Sequence, residues 1–164
     1  MAAEGANVVV NYSSSAEKAE KILSEIKSAG GDGFTYKADV SKEDEVVAMF
    51  KETFKRYGTL DILVANAGLQ KDARFHNMSL EEWNYVIDIN LTGQFLCCRE
   101  AIREFLRRGV DPKRSKSAGK IICMSSVHEV IPWAGHANYS ASKGGVMMLI
   151  EVDRTRICSA KNKS

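Results

Sequence analysis

The chain has 164 residues, 45% apolar and 27% charged, enough for one domain with its own hydrophobic core. Its formal net charge is only +2, so no strong field draws it toward nucleic acid or a membrane surface. No apolar run approaches the ~20 residues that cross a bilayer, and the amino terminus lacks the basic-then-apolar pattern of a secretory leader; a soluble, cytoplasmic protein is expected.

In chain order, Val8-Val9-Val10 is a β-branched run of the kind buried in a parallel sheet. A helix follows with Ala16, Ala19, Ile22, Leu23 and Ile26 on one face, stopped at Gly30-Gly31. Phe34 to Ala38 alternates as a strand. Ser41, with Asp44 three residues on, reads as the N-cap of a second helix whose stripe is Val46, Val47, Phe50, Phe54 and Tyr57. Leu60 to Ala65 is another strand. Ser79-Leu80-Glu81-Glu82 is a capping box opening a long helix to about Arg107.

Arg107, Arg108, Lys113, Arg114 and Lys116 then read as a solvated basic loop. Lys120 to Ser125 is a strand, and a helix runs from Tyr139. This alternation of strand and helix predicts an α/β fold with a parallel sheet. Cys97, Cys98, Cys123 and Cys158 form no Cys-x-x-Cys pair and no metal-ligand grouping with the histidines. No metal is expected, and the thiols suit a reducing compartment.

Tyr139 and Lys143 stand four residues apart, on the same face of a helix. An ammonium beside a phenol favours the phenolate, which suits proton transfer. Ser125 and Ser126 end an apolar strand, the end at which parallel sheets bind ligands. A hydroxyl there can hydrogen-bond a developing alkoxide.

Together with Asn66-Ala67-Gly68 after a buried strand and Asn90 within Asp88-Ile89-Asn90-Leu91-Thr92-Gly93, these motifs resemble the short-chain dehydrogenases/reductases over nearly the whole chain. The loop Ser125 to Trp133 is similar to the glucose 1-dehydrogenase version. The resemblance implies a Rossmann-like, doubly wound parallel sheet with helices on both faces. It also implies hydride transfer between a nicotinamide cofactor, NADP or NAD, and a sugar or other small alcohol.

By that resemblance Tyr139 handles the proton on the substrate oxygen. Lys143 assists it and binds the nicotinamide ribose, Ser126 orients the substrate, and Asn90 holds a water where it interrupts the helix. Asn66, Ala67 and Gly68 would line the cofactor cleft, and Asp39 and Val40 would meet the adenine. His128 and Glu129 are candidates for reading sugar hydroxyls and read equally well as exposed loop residues. At the end of the first run, Asn11-Tyr12-Ser13 places no acid where NAD-specific proteins hold the ribose. NADP or dual use is therefore expected, with Asn11 and Ser13 near the ribose.

Two departures from the family stand out. The Gly-rich turn and first strand that should precede Val8 are not seen, and neither are the strands after Leu149. One partial domain over 1–164 is expected, with a break in mid-sheet and an atypical polar tail at 151–164. The alternatives are a catalytically silent fragment pairing with full-length subunits, as homo-oligomers of the family do, or a 3-oxoacyl-carrier-protein reductase-like enzyme.

Overall fold

A computed structural model describes residues 1–113 and 115–159, with side chains as far as Val152. Four strands and five α-helices alternate in it: β1 (Val8–Tyr12), α1 (Ala16–Ser28), β2 (Gly33–Lys37), α2 (Glu43–Tyr57), β3 (Ile62–Ala65), α3 (Leu80–Ile87), α4 (Gly93–Arg108), β4 (Lys120–Cys123) and α5 (Ala137–Ser159). A π-helical turn, Asp88–Thr92, joins α3 to α4. The strands pair as two parallel ladders, β1 with β2 and β3 with β4. Among the described residues each ladder has two strands. The fold is the α/β alternation with parallel strands expected from the periodicity.

The chain divides into two compact units. One comprises Met1–Asp61 with Ile102–Gly119, the other Ile62–Ala101 with the chain from Lys120 onward. In the first, α1 packs against β1 and β2, burying Ala19 and Leu23 while Ile22 stays 47% exposed. Ala29 closes the helix and Gly30 turns the chain at φ 80°, a conformation glycine adopts without steric cost. A Cβ at Gly33 would run into the carbonyl of Val8, its cross-strand partner, so only glycine lets β2 begin in this register. From α2, Val46, Met49 and Phe50 are buried.

The expected cap of α2 is placed differently. The N-cap is Lys42, and Ser41 instead donates its amide (2.9 Å) and hydroxyl (2.7 Å) to Asp39 Oδ1, while Asp39 N–H donates to Glu45 Oε2 at 2.8 Å. An acidic side chain two residues upstream competes for Ser41, as short polar residues readily do in such turns.

The basic loop also needs correcting. Arg107 and Arg108 belong to the last turn of α4 and are paired, Arg107 with Glu104 and Arg108 with Asp61, Thr59 and the Ala118 carbonyl. Arg114 lies outside the described residues.

Glu104, 4% exposed, accepts from Arg107 at both carboxylate oxygens (2.6 and 2.8 Å) and from Thr59 Oγ1 at 2.7 Å. The Arg107 hydrogen bond leads in holding the carboxyl below its ordinary range, against the pull of burial. A group depressed in the folded state adds stability at neutral pH and loses it as pH falls through its folded value. Glu104→Gln is therefore expected to cost about 2 kcal/mol at pH 7 and to flatten the acid limb of a stability-versus-pH curve. Urea melts of both proteins between neutral and acid pH check this.

The second unit has a core of unusual polarity. Beside Ala65, Val86, Leu96, Ala101 and Val146 it buries Asn90, Gln94, Asn138, Ser142 and Lys143. Buried polar groups cost stability unless they are hydrogen-bonded. That concentration marks where the chemistry is to be sought. Val64 and Ile122, cross-strand partners in β3 and β4, are 42% and 48% exposed. The backbone of α5 continues to Ser159, through most of the stretch expected as a tail, and residues 160–164 lie outside the described residues. Among the described residues no helix is long and apolar enough to cross a membrane, and no cluster of His, Cys, Asp and Glu is suited to a metal ion.

Candidate active site

The capping box at Ser79 forms as expected. Glu82 N–H donates to Ser79 Oγ at 3.1 Å, and Ser79 N–H donates to Glu82 Oε2 at 3.1 Å, starting α3 firmly. The interruption expected at Asn90 is the π turn, closed by Gly93 N–H bonding the Asp88 carbonyl, one residue wider than an α-turn. Asn90 is fully buried there. Its side chain pairs with the Leu69 backbone like a neighbouring strand: Oδ1 accepts from Leu69 N–H at 2.8 Å and Nδ2 donates to the Leu69 carbonyl at 2.9 Å. Nδ2 also donates to Ser142 Oγ at 3.2 Å, and that hydroxyl donates to the Tyr139 carbonyl at 2.7 Å. One amide thus ties the segment after β3 to the first turn of α5.

Asn138 anchors that turn from its other side. It is fully buried and donates to the carbonyls of Lys71 (2.9 Å) and Glu82 (3.2 Å). Its Oδ1 accepts from Tyr139 N–H at 2.7 Å. The sequence reading missed Asn138, Ser142 and Gln94. The available signal was a run of small and polar residues on an otherwise core-facing stretch.

Lys143 is 4% exposed and donates to the Met124 carbonyl at 2.6 Å, where β4 ends. Gln94 Nε2 donates to the same oxygen at 3.3 Å. The ammonium lies 5.5 Å from the Tyr139 ring centre, and a Cβ on Gly68 would stand 3.7 Å from Nζ and 3.3 Å from Asn90 Oδ1. Tyr139, Lys143, Asn90 and Gly68 therefore share one locality. Asn66 is exposed and Ala67 half-buried beside it in sequence.

Ser126 caps a short 3-10 turn, its hydroxyl accepting from His128 N–H at 3.3 Å. Ser125 points elsewhere, donating to Glu129 and, at 3.4 Å, to the Lys143 carbonyl. His128 Nδ1 is 3.1 Å from the Ile131 carbonyl, and the His128 ring lies 5.0 Å from Trp133 and 6.3 Å from Tyr139. Trp133 stacks flat on His136 at 4.7 Å. Around these rings Val127, Val130, Ile131 and Trp133 are between 58% and 68% exposed.

The remaining predicted residues belong to the other unit. Asn11 Nδ2 donates to the carbonyls of Tyr36 (3.2 Å) and Ala38 (3.0 Å), fastening the end of β1 to β2. Ser13 is exposed, Asp39 holds Ser41, and Val40 is buried.

The residues around Lys143 fit the ribose end of a dinucleotide. A buried ammonium with one described acceptor keeps two N–H donors for vicinal hydroxyls, and Gly68 leaves the approach to it bare of side chain.

The model of the short chain dehydrogenase family matches residues 1–157, and the chain belongs to that family. It is 48% identical over 147 residues to 3beta-hydroxysteroid dehydrogenase 1 of Eggerthella lenta, covering 90% of this chain and 54% of the relative. Against the 3-oxoacyl-acyl-carrier-protein reductase FabG of Staphylococcus aureus it is 44% identical over 149 residues, covering 91% and 57%. Two solved structures, each 32% identical and covering 90% of this chain and 55% of its counterpart, match its fold. They are a dehydrogenase/reductase from Sinorhizobium meliloti (TM-score 0.80) and a gluconate 5-dehydrogenase from Burkholderia cenocepacia in complex with NADP and tartrate (TM-score 0.78). The chain spans about half the length of the curated relatives it matches.

Proposed function

We propose that the chain carries the catalytic centre of an NAD(P)-dependent oxidoreductase acting on a secondary alcohol or the matching carbonyl. The observation that carries this reading is the buried Lys143 ammonium, hung from the end of β4 one helical turn from Tyr139. When bound, the nicotinamide cofactor supplies the hydride chemistry. Tyr139 gives or takes the proton on the substrate oxygen, with Lys143 holding a positive charge beside it and offering its spare N–H groups to ribose hydroxyls. Ser126 orients the substrate oxygen. The amide hydrogens of Asn90 are spent on Leu69 and Ser142, so a water held there must be taken by its carbonyl oxygens. Asp39 and Val40 serve the adenine, and Asn11 and Ser13, with no acid among them, leave room for a 2′-phosphate.

Within the class, the sugar reading rests on the sequence of the loop from Ser125 to Trp133. A second reading, an alcohol or ketone with a larger apolar body, is supported by how that loop is built. The Glu129 carboxylate is engaged by Ser125 and one His128 nitrogen by a backbone carbonyl, while the outward side chains are apolar. The hydroxysteroid dehydrogenase and acyl-carrier-protein reductase relatives bear on the same point.

Thermal melts with NADP and NAD test the proposal. A ligand at a hundred times its Kd adds about 2.7 kcal/mol to stability. NADP is expected to raise the Tm at least as far as NAD. A Tm unmoved by both supports the silent, subunit-pairing alternative. Glucose, a 3-hydroxysteroid and a 3-oxoacyl thioester, followed at the reduced-cofactor absorbance, then separate the substrate classes.

A further inference from the structure

We propose that Cys98 and Cys123 form a redox-sensitive dithiol, a modification site whose oxidation to a disulfide loosens the anchorage of Lys143. The two sulfurs are 3.6 Å apart, one carried by α4 and one by the last residue of β4. Gln94 and Cys98 lie four residues apart on α4, so they share one face of that helix. From that face they hold consecutive residues of the chain: Gln94 bonds the Met124 carbonyl and Cys98 meets the Cys123 sulfur. The Met124 carbonyl also receives the Lys143 ammonium. A change in the Cys98–Cys123 separation is therefore one residue away from the oxygen that positions Lys143.

The chemistry of the Cys123 sulfur differs from that of Cys97. The hydrogen bond with Cys98, aided by the charge of Lys143 and opposed by burial, holds the Cys123 thiol below its ordinary range. Burial pushes the Cys97 thiol, adjacent in sequence to Cys98, up to about 11. The thiolate is the form that reacts. Cys123 is also half-buried rather than sealed, so a small oxidant can reach it.

The oxidant is a hydroperoxide. The Cys123 thiolate attacks one peroxide oxygen, the O–O bond breaks, and Cys123 becomes a sulfenic acid as hydroxide leaves and is protonated to water. Cys98, losing its proton, then attacks the Cys123 sulfur, the S–O bond breaks, and a second water departs. Two thiols lose two hydrogens and two electrons, and one hydrogen peroxide becomes two waters. Closing to the ~2.05 Å of an S–S bond draws the end of β4 toward α4. The Met124 carbonyl moves with it, away from the ammonium.

The test uses the unmodified chain and hydrogen peroxide, with peptide mapping by mass spectrometry and measurement of Lys143 acylation by an amine-reactive ester. The expected result is a loss of two hydrogens mapped to a Cys98–Cys123 link. It should also form in Cys97→Ser and be replaced in Cys98→Ser by a trapped sulfenic acid on Cys123. Lys143 acylation should rise severalfold on oxidation and return on reduction. A disulfide through any other cysteine, or both thiols still alkylatable after treatment, overturns the site. A Cys98–Cys123 link that leaves Lys143 acylation unchanged overturns the coupling. Neither readout requires turnover, so failure here is distinguishable from failure of the proposed activity.

Discussion

Replacing Tyr139 with Phe is expected to lower turnover by about 100-fold or more while leaving dinucleotide affinity within about twofold. The ring stays, with its packing beside Lys143 and His128, and only the hydroxyl that moves the proton is removed. Lys143→Met should behave differently. It removes both the charge beside Tyr139 and the donors left for the ribose, so kcat falls and the cofactor's Kd rises together. Stopped-flow hydride transfer and fluorescence titration of the reduced cofactor on the three proteins measure the split. Turnover surviving in the Phe variant would remove Tyr139 from the proton path.

The second large effect is on stability. Asn90→Ala is expected to cost about 3 kcal/mol, because it leaves the Leu69 N–H and carbonyl without their partners and unties Ser142. Asn90→Asp should not rescue it. A carboxylate can accept from Leu69 N–H but has no hydrogen to offer the Leu69 carbonyl, and it brings a charge into a fully buried position. Denaturant melts of the three proteins give the ranking, and an Asp variant as stable as the parent would show that the donor side of the amide does little.

Much of this was legible because the signals were local and redundant. The strand at Val8 to Val10, the Gly30-Gly31 stop and the Ser79–Glu82 box each form where expected, although the three valines are half-buried where burial was expected. The cap of α2 was misplaced because Ser41 gives its own amide and hydroxyl to Asp39 instead of capping the helix. Arg107 and Arg108 were assigned to a loop on composition alone. Their partners Glu104, Thr59 and Asp61 include residues nearly fifty positions away, which composition cannot show. The polar core around Asn90 was only half visible. Tyr139 and Lys143 are recognisable from their spacing in the company of the motifs around Asn66, Asn90 and Ser126, but Asn138, Ser142 and Gln94 gain meaning only once folding brings Lys71, Asn90 and Met124 beside them.

The π turn at Asp88–Thr92 has a consequence for which mutations this stretch tolerates. Each residue advances a helix by about 100°. Shortening the turn by a single residue would let α3 and α4 merge into one regular helix, a gain for the backbone alone. That deletion would nevertheless swing Gln94 and Cys98 about a quarter-turn away from Met124 and Cys123, or else carry Asn90 off Leu69. Point substitutions across 88–92 other than at Asn90 are thus open to selection one at a time, whereas the count of five residues is held constant by the two grips on either side of it.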